Sequence, residues 1–235
     1  MRGPIRENIE EVMGKIKESA RKAGRPPDDV MLLAVSKTVN PEMIREAHRA
    51  GITEFGESRV QEAAAKIKEL RGIGIKWHFI GHLQTNKAKT AVQNNFELIH
   101  SLSSKKLLHE INRHAEKAGS VQKALIEVKL SPEAAKHGVG ETELEDLLYE
   151  STKTENVAVR GLMTIPPYYE EPELSRPFYS RLKELRDEME SLGYVLPVLS
   201  MGMSHDFEIA IEEGATIVRV GTAIFGERAR GAREE

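Results

Sequence analysis

The strongest constraint on the fold is a repeated alternation between short apolar runs and longer amphipathic segments. Eight apolar runs rich in β-branched residues occur at 31–36, 53–57, 76–81, 97–102, 124–130, 157–165, 198–202 and 216–221. Helical patterns follow the first seven runs. Asn40-Pro41 is typical of a helix start, and the segments starting at Ser58 and Thr142 fit the capping box. Strands separated by helices pair in parallel through right-handed crossovers, so the pattern predicts an α/β fold.

The number of strand–helix units favours a closed barrel. Eight units within 235 residues match the lower size limit of the (β/α)8 (TIM) barrel, whereas a doubly wound open sheet is the competing architecture. Residues 1–27 are predicted to form an extra N-terminal helix, 31–226 the barrel and 227–235 a tail. We therefore expect a single domain over residues 1–235, because almost no chain is left for a second one.

Composition narrows the classes of function. The chain has no Cys, which excludes disulfides and thiolate metal sites. Its net charge is −3 with dispersed Lys and Arg, which gives no general attraction to nucleic acid. No apolar segment reaches membrane length, and the first residues lack a signal-peptide pattern. We expect a cytoplasmic protein without bound metal and without nucleic-acid or membrane partners.

Lys37 is the first candidate functional residue, since it closes the first apolar run in the segment LLAVSKT. In such barrels the active end is the carboxyl edge of the strands. A lysine amine that is partly desolvated there loses its proton more readily and becomes a nucleophile suited to Schiff-base formation. The alternative interpretation is a solvated lysine that opens a loop.

Two later loops have the composition of a phosphate-binding site. The seventh run leads through Ser200 and Gly202 to Ser204, and the eighth ends in Gly221-Thr222. Loops at these two positions are the usual phosphate-binding place of the barrel. Small residues let the backbone approach a ligand, and hydroxyl groups add donors. Alternatively, the glycines only make turns and Ser204 only caps a helix.

Arg219 interrupts the last apolar run, in the segment Ile217-Val218-Arg219-Val220. An unpaired guanidinium in a core is very costly, so the residue needs a partner or a function. A core salt bridge and an outward-facing side chain are the structural alternatives.

Six ordered motifs resemble those of the pyridoxal phosphate homeostasis proteins. The motifs are LLAVSKT, FGESRVQE, WHFIGHLQTNK, RGLMTI, LSMGMSHDF and VRVGTAIFGER, at positions 32–228. The resemblance implies a fold-type III pyridoxal 5′-phosphate (PLP) barrel, similar to the barrel domain of alanine racemase. It also implies a protein that contributes to intracellular PLP homeostasis and delivery, with apo PLP-dependent enzymes as candidate recipients.

The resemblance further implies how the cofactor is bound. Lys37 would carry it as a covalent aldimine. The phosphate would be held by Ser200 and Ser204 and by the backbone of Gly221 and Thr222.

Around the ring, the resemblance implies three contacts. Arg219 would face the pyridine nitrogen, and Met201 and Met163 would pack near the ring. The family motif Gly-Glu-Asn ends here in Ser58 instead of Asn. Ser58 is thus either a cofactor contact or only a helix cap.

We expect a carrier and regulator rather than an enzyme with a robust activity. An arginine beside the ring nitrogen opposes its protonation and weakens the electron sink on which PLP catalysis depends. Racemisation needs two bases, and Tyr168 or Tyr169 is the in-chain candidate to assist Lys37, although both also fit surface positions. A weak amino-acid racemase or lyase is the first alternative, and a sugar-phosphate aldolase or isomerase the second. Lys136 is either a secondary adduct site or a solvated lysine, and a monomer or a weak dimer is expected.

Overall fold

The computed structural model describes residues 4–131 and 137–226, in which eight parallel strands alternate with helices and close into a barrel in the order β1 to β8. The strands are β1 (Met31–Val35), β2 (Glu54–Glu57), β3 (Lys76–Phe79), β4 (Leu98–Leu102), β5 (Gln122–Glu127), β6 (Val157–Met163), β7 (Val198–Met203) and β8 (Ile217–Val220). The helices are α1 (Ile5–Lys22), α2 (Pro41–Arg49), α3 (Val60–Glu69), α4 (Ala88–Gln93), α5 (Lys105–Lys117), α6 (Glu141–Ser151), α7 (Arg176–Ser191), α8 (Phe207–Glu212) and α9 (Thr222–Phe225). The predicted closed barrel is confirmed.

Helix α1 is the predicted extra helix, and it packs against α8, α9 and α2. Its apolar stripe is buried, as its spacing predicts; the stripe consists of Ile5, Ile9, Val12 and Ile16. Asn8 Nδ2 also donates a hydrogen bond to the carbonyl oxygen of Ile224 at 2.8 Å. The helix therefore holds the segment that follows β8.

Helix starts agree only in part with the sequence pattern. Asn40 Oδ1 accepts a hydrogen bond from Met43 N–H at 2.9 Å, which confirms the predicted cap of α2. Helix α3 begins at Val60 after Arg59, with no side-chain cap. The predicted capping box at Ser58 is wrong, because the chain at Ser58 is still in the connection that leaves β2.

Side chains of the strands point alternately into the barrel and toward the helices. An inner cluster contains Met163 together with Leu33, Leu98, Leu125 and Ile217. Met201 is fully buried in the other cluster, which lies between the barrel and the helices. Its neighbour Ser200 faces the interior instead, where it contacts other inward side chains. This differs from the prediction that Met201 packs near the ring beside Met163.

The remaining predictions concern Lys136, the C-terminal tail, membrane-spanning helices and metal sites. Lys136 and the tail of residues 227–235 lie outside the described residues. Among the helices of the described segments, none has the length and apolarity needed to cross a membrane. The described His, Asp and Glu side chains form no group of three or more that could hold a metal ion.

Candidate functional site

Lys37 lies in a tight turn just after the end of β1, at the carboxyl edge of the barrel. Ser36 N–H donates to the carbonyl oxygen of Gly56 at 3.0 Å, which continues the pairing of β1 with β2 beyond the strand. Val39 N–H donates to the carbonyl oxygen of Ser36 at 2.9 Å and closes the turn. Lys37 itself is half-buried. The turn thus presents this lysine at the barrel mouth.

The loops after β7 and β8 contact each other and the end of β1. Gly221 N–H donates to Ser204 Oγ at 3.1 Å. A Cβ added at Gly221 would lie 3.2 Å from the carbonyl oxygen of Val35, so this loop runs closely past the last residue of β1. Thr222 follows at the exposed start of α9. The structure therefore brings Ser204, Gly221 and Thr222 to the same part of the mouth as Lys37.

Packing and a buried carboxylate fix the shape of the loop after β7. Gly202 has φ +89°, and a Cβ there would lie 2.5 Å from Ala210 Cβ. Asp206 Oδ1 accepts from Met203 N–H at 2.7 Å, and its Oδ2 accepts from Ser175 Oγ at 3.2 Å. Gly202 lies near the end of β7, and a glycine is required there by the left-handed conformation and by the close approach of α8.

Arg219 points into the barrel and is only 4% exposed. Its Nη1 donates to the carbonyl oxygen of Ser200 at 2.8 Å and to Ser200 Oγ at 2.7 Å, and its Nη2 donates to the carbonyl oxygen of Thr164 at 2.9 Å. All three acceptors are uncharged oxygens, so these contacts are not the core salt bridge considered above. The outward-facing alternative is wrong. Burial lowers the pKa of Arg219.

Glu127 on β5 is a buried acid that the sequence analysis did not single out. It is 5% exposed, and its Oε2 has no hydrogen-bond partner among the described residues. Burial raises the pKa of Glu127, and the charge of Arg219 acts against this rise. The interior thus contains an acidic group under the electrostatic influence of the buried guanidinium.

A chain of hydrogen bonds crosses the barrel interior from Ser200 to Lys76. Ser200 Oγ lies 2.9 Å from His100 Nδ1, and His100 Nε2 lies 3.0 Å from His78 Nδ1. His78 Nε2 lies 2.8 Å from Glu54 Oε2, and Glu54 Oε1 accepts from Lys76 Nζ at 3.0 Å. Ser200 is fully buried and its hydroxyl belongs to this chain. This placement differs from the predicted role of Ser200 at the phosphate.

The two ends of the chain determine the direction of its hydrogen bonds. Arg219 can only donate, and the Glu54 carboxylate can only accept. The hydroxyl of Ser200 therefore donates to His100 Nδ1, His100 Nε2–H donates to His78 Nδ1, and His78 Nε2–H donates to Glu54. In this assignment the His100 imidazole is neutral. Burial holds the pKa of His100 well below its usual value, and the charge of Arg219 acts in the same direction.

The neutral His100 predicts a pH dependence of stability. Below a pH of about 6.5 the unfolded chain binds a proton at this residue and the folded chain does not. Stability therefore falls as pH decreases, by up to about 1.4 kcal/mol per pH unit from this residue. Urea unfolding between pH 7 and 5 should show a shallower fall for His100→Gln than for the wild type. Equal slopes for the two proteins would contradict the assignment.

The remaining predicted residues occupy different surroundings. Met163 is 1% exposed and lines the interior. Ser58 lines a cavity of about 320 Å³ together with Arg59, His82 and Lys87. Lys37 does not line this cavity, but Glu62 does, and its carboxylate accepts from the N–H of Thr38 beside Lys37. A cofactor contact at Ser58 stays a prediction.

The two candidate tyrosines lie on the outside of the barrel mouth. Tyr168 is 74% exposed, and its ring lies 5.3 Å from that of His205, the residue after Ser204. Tyr169 is half-buried and stacks on Phe178 at 6.0 Å. These positions favour the surface interpretation of both residues.

Fold and site together define a class of protein. The family model of the alanine racemase N-terminal domain matches residues 6–229. An alanine racemase of Clostridium difficile 630 has the same barrel, with a TM-score of 0.76 over 96% of this chain and 60% of that one. At 16% identity this likeness concerns the fold alone.

Closer relatives narrow the class to one family. The chain is 49% identical over 223 residues to the pyridoxal phosphate homeostasis protein of Aquifex aeolicus (strain VF5), which covers 94% of this chain and 97% of that one. The solved structure of PipY from Synechococcus elongatus PCC7942 with PLP bound is 39% identical, has a TM-score of 0.80, and covers 90% of this chain and 100% of that one. The chain belongs to the family of pyridoxal phosphate homeostasis proteins.

Proposed function

We propose that this chain binds PLP at the barrel mouth, with Lys37 as the amine that reacts with the cofactor aldehyde, and that it contributes to PLP homeostasis. The names of the Aquifex relative and of the PLP-bound PipY structure support the choice of cofactor. One observation of this chain carries the proposal. The Ser204–Gly221 bridge packs on the end of β1, where the turn with Lys37 begins.

The donors present at this place fit a phosphate group. The hydroxyl of Ser204 and the N–H group of Thr222 are neutral donors on closely spaced backbone, and such donors suit a phosphate oxygen. The Gly221 N–H would join them by exchanging Ser204 Oγ for a phosphate oxygen. A Cβ at position 221 would lie 3.2 Å from the carbonyl oxygen of Val35, so a side chain there would require Val35 to shift by a few tenths of an ångström. We therefore assign the phosphate to these three residues and the aldehyde to Lys37.

The buried guanidinium favours storage of the cofactor over catalysis. PLP supplies an electron sink, which is strong only when its pyridine nitrogen carries a proton. Arg219 is the residue that we assign to this nitrogen, and its three hydrogen bonds to Ser200 and Thr164 hold the guanidinium in place. A second positive charge beside it would be costly in the buried interior. Arg219 therefore keeps the ring a weak electron sink.

A spectrum combined with mass spectrometry tests the proposal. Protein mixed with PLP should gain a visible absorption band, and borohydride should fix the mass of one cofactor on the peptide that contains Lys37. A sugar-phosphate enzyme on the same barrel would give no colour. Absence of the adduct, or its location on a different peptide, would refute the proposed function.

A second experiment distinguishes a carrier from a weak racemase or lyase. Loaded protein incubated with single-enantiomer amino acids in heavy water should not incorporate deuterium at the α carbon over several turnovers. Loaded protein should instead transfer its cofactor to an apo PLP-dependent enzyme. We propose such enzymes as the recipients, a monomer or weak dimer as the working form, and the cytoplasm as its location. Repeated deuterium incorporation without transfer would favour the enzyme.

A further inference from the structure

Three charged residues on β2 and α3 hold the turn that carries Lys37. We call Glu57, Glu62 and Lys66 the clamp. Lys66 Nζ donates to Glu57 Oε1 at 2.9 Å, to Glu62 Oε1 at 2.6 Å and to the carbonyl oxygen of Ser36 at 2.7 Å. Ser36 Oγ also donates to Glu57 Oε1 at 2.6 Å. The residue before Lys37 is thus bound through its side chain and its carbonyl group.

The clamp also binds the residue after Lys37. Thr38 N–H donates to Glu62 Oε1 at 2.6 Å. Thr38 has φ +63°, a left-handed conformation that is unfavourable for a β-branched residue and persists only where the surroundings enforce it. Because Ser36 and Thr38 are both fixed, the peptide units on either side of Lys37 have a defined orientation.

Two of the three charged residues of the clamp are buried, which calls for an explanation other than folding stability. Glu57 is 0% and Lys66 is 6% exposed. Burial raises the pKa of Glu57, and the hydrogen bonds from Ser36 and Lys66 oppose this rise. A buried ion pair adds little net stability compared with apolar residues of similar volume. The clamp is therefore poorly explained as a source of folding energy alone.

We propose that Glu57, Glu62 and Lys66 are positioning residues for Lys37, which hold its backbone so that the amine meets the cofactor aldehyde. This inference rests on the proposed function, since it assumes that Lys37 is the reacting amine. The three N–H bonds of Lys66 are directed at three oxygens, so this second lysine does not compete for the aldehyde. A displacement of about 1 Å at a reacting group can slow a reaction by about a hundredfold, so the position of the Lys37 backbone strongly affects the reaction rate.

Glu62→Ala is the primary test, because Glu62 is less buried than its two partners and its loss is least disruptive. We expect Glu62→Ala to form the PLP adduct about tenfold more slowly than the wild type. Its affinity for pyridoxine 5′-phosphate, which has the phosphate and no aldehyde, should stay within about twofold, because the phosphate loops are untouched. Glu62→Gln keeps an oxygen acceptor for Thr38 N–H and should recover most of the rate.

Two further measurements separate positioning from general damage. Glu69→Ala removes a surface charge from the same helix, where Glu69 pairs only with Arg45 among the described residues, and should react at the wild-type rate. Hydrogen exchange of the cofactor-free protein should show faster exchange at the Thr38 amide in Glu62→Ala, with other protected amides unchanged. Lys66→Met, which releases the carbonyl oxygen of Ser36, should slow adduct formation in the same way.

The outcomes distinguish this inference from the function on which it rests. If wild type forms no adduct at Lys37, the proposed function itself fails. If wild type forms it and Glu62→Ala reacts equally fast, only the positioning role fails. A parallel loss of adduct rate and pyridoxine 5′-phosphate affinity would also overturn the inference, because it would show that the whole site is disturbed.

Discussion

Replacement of Lys37 by alanine should abolish the covalent adduct with PLP completely while the barrel stays folded. The side chain is half-buried in a turn, and the hydrogen bonds that fix this turn belong to Ser36, Thr38 and Val39. Truncation of such a residue changes stability by about 1 kcal/mol or less. Without the amine, the aldehyde has no nucleophile in the turn. Intact mass after borohydride and the visible spectrum would both report the loss.

Lys87→Ala is the matched control for this variant. Lys87 is another half-buried lysine near the mouth, in the cavity lined by Ser58, and the proposed site does not include it. It should form the adduct as wild type does. Lys37→Ala should still bind pyridoxine 5′-phosphate, since Ser204, Gly221 and Thr222 are retained. A stoichiometric adduct on Lys37→Ala would show that another lysine is the natural acceptor.

The barrel could be predicted because its signal is local and repeated. Each apolar run lies next to a helical pattern, and parallel pairing then leaves few arrangements for eight such units. The observed strand β2, at Glu54–Glu57, differs by one residue from its predicted run. The positions of Lys37 and of the two loops follow from the strand ends, so they could be predicted as well.

The direction of individual side chains was harder to predict. Ser200 and Met201 are adjacent, and a shift of one residue in the register exchanges their environments. His100 lies in the run Glu97–Leu102, and the apolar pattern of this run does not show that position 100 points into the barrel. Only the strand register of the closed barrel shows that His100 contacts Ser200, which is 100 positions away in the sequence.

Helix starts and the clamp depend on tertiary contacts. The N-cap of α6 is Gly140 rather than the predicted Thr142, and Gly140 N–H donates to Glu143 Oε2 at 3.0 Å. The clamp residue Lys66 is an ordinary surface lysine by its helical pattern. Its burial arises from the docking of α3 against the end of β1, which no local pattern encodes.

Gly161→Ala should be the most destabilising small substitution in the barrel. A Cβ at this position would lie 1.9 Å from the carbonyl oxygen of Val198, and Gly161 has φ +155°. Neighbouring backbone cannot move aside as a flexible side chain can, so β6 and β7 must separate. We expect a loss of about 4 kcal/mol or more in the free energy of unfolding, measured with urea.

Gly14→Ala is the matched control for this change, because it adds the same methyl group where space is free. Gly14 lies exposed within α1, and, apart from its chain neighbours and the backbone of its own helix, no atom of the described residues lies within 4 Å of its added Cβ. Alanine there should raise the free energy of unfolding by about 0.5–1 kcal/mol, since glycine is unfavourable inside a helix. Opposite signs for the two variants would show that the close approach of β6 and β7 sets the effect.

The close approach of β6 and β7 also pairs Met163 with Ser200 and brings the carbonyl of Thr164 to Arg219. Any folded Gly161→Ala protein should therefore also bind PLP more weakly. A loss below about 1 kcal/mol with unchanged PLP binding would contradict this link between strand spacing and the site.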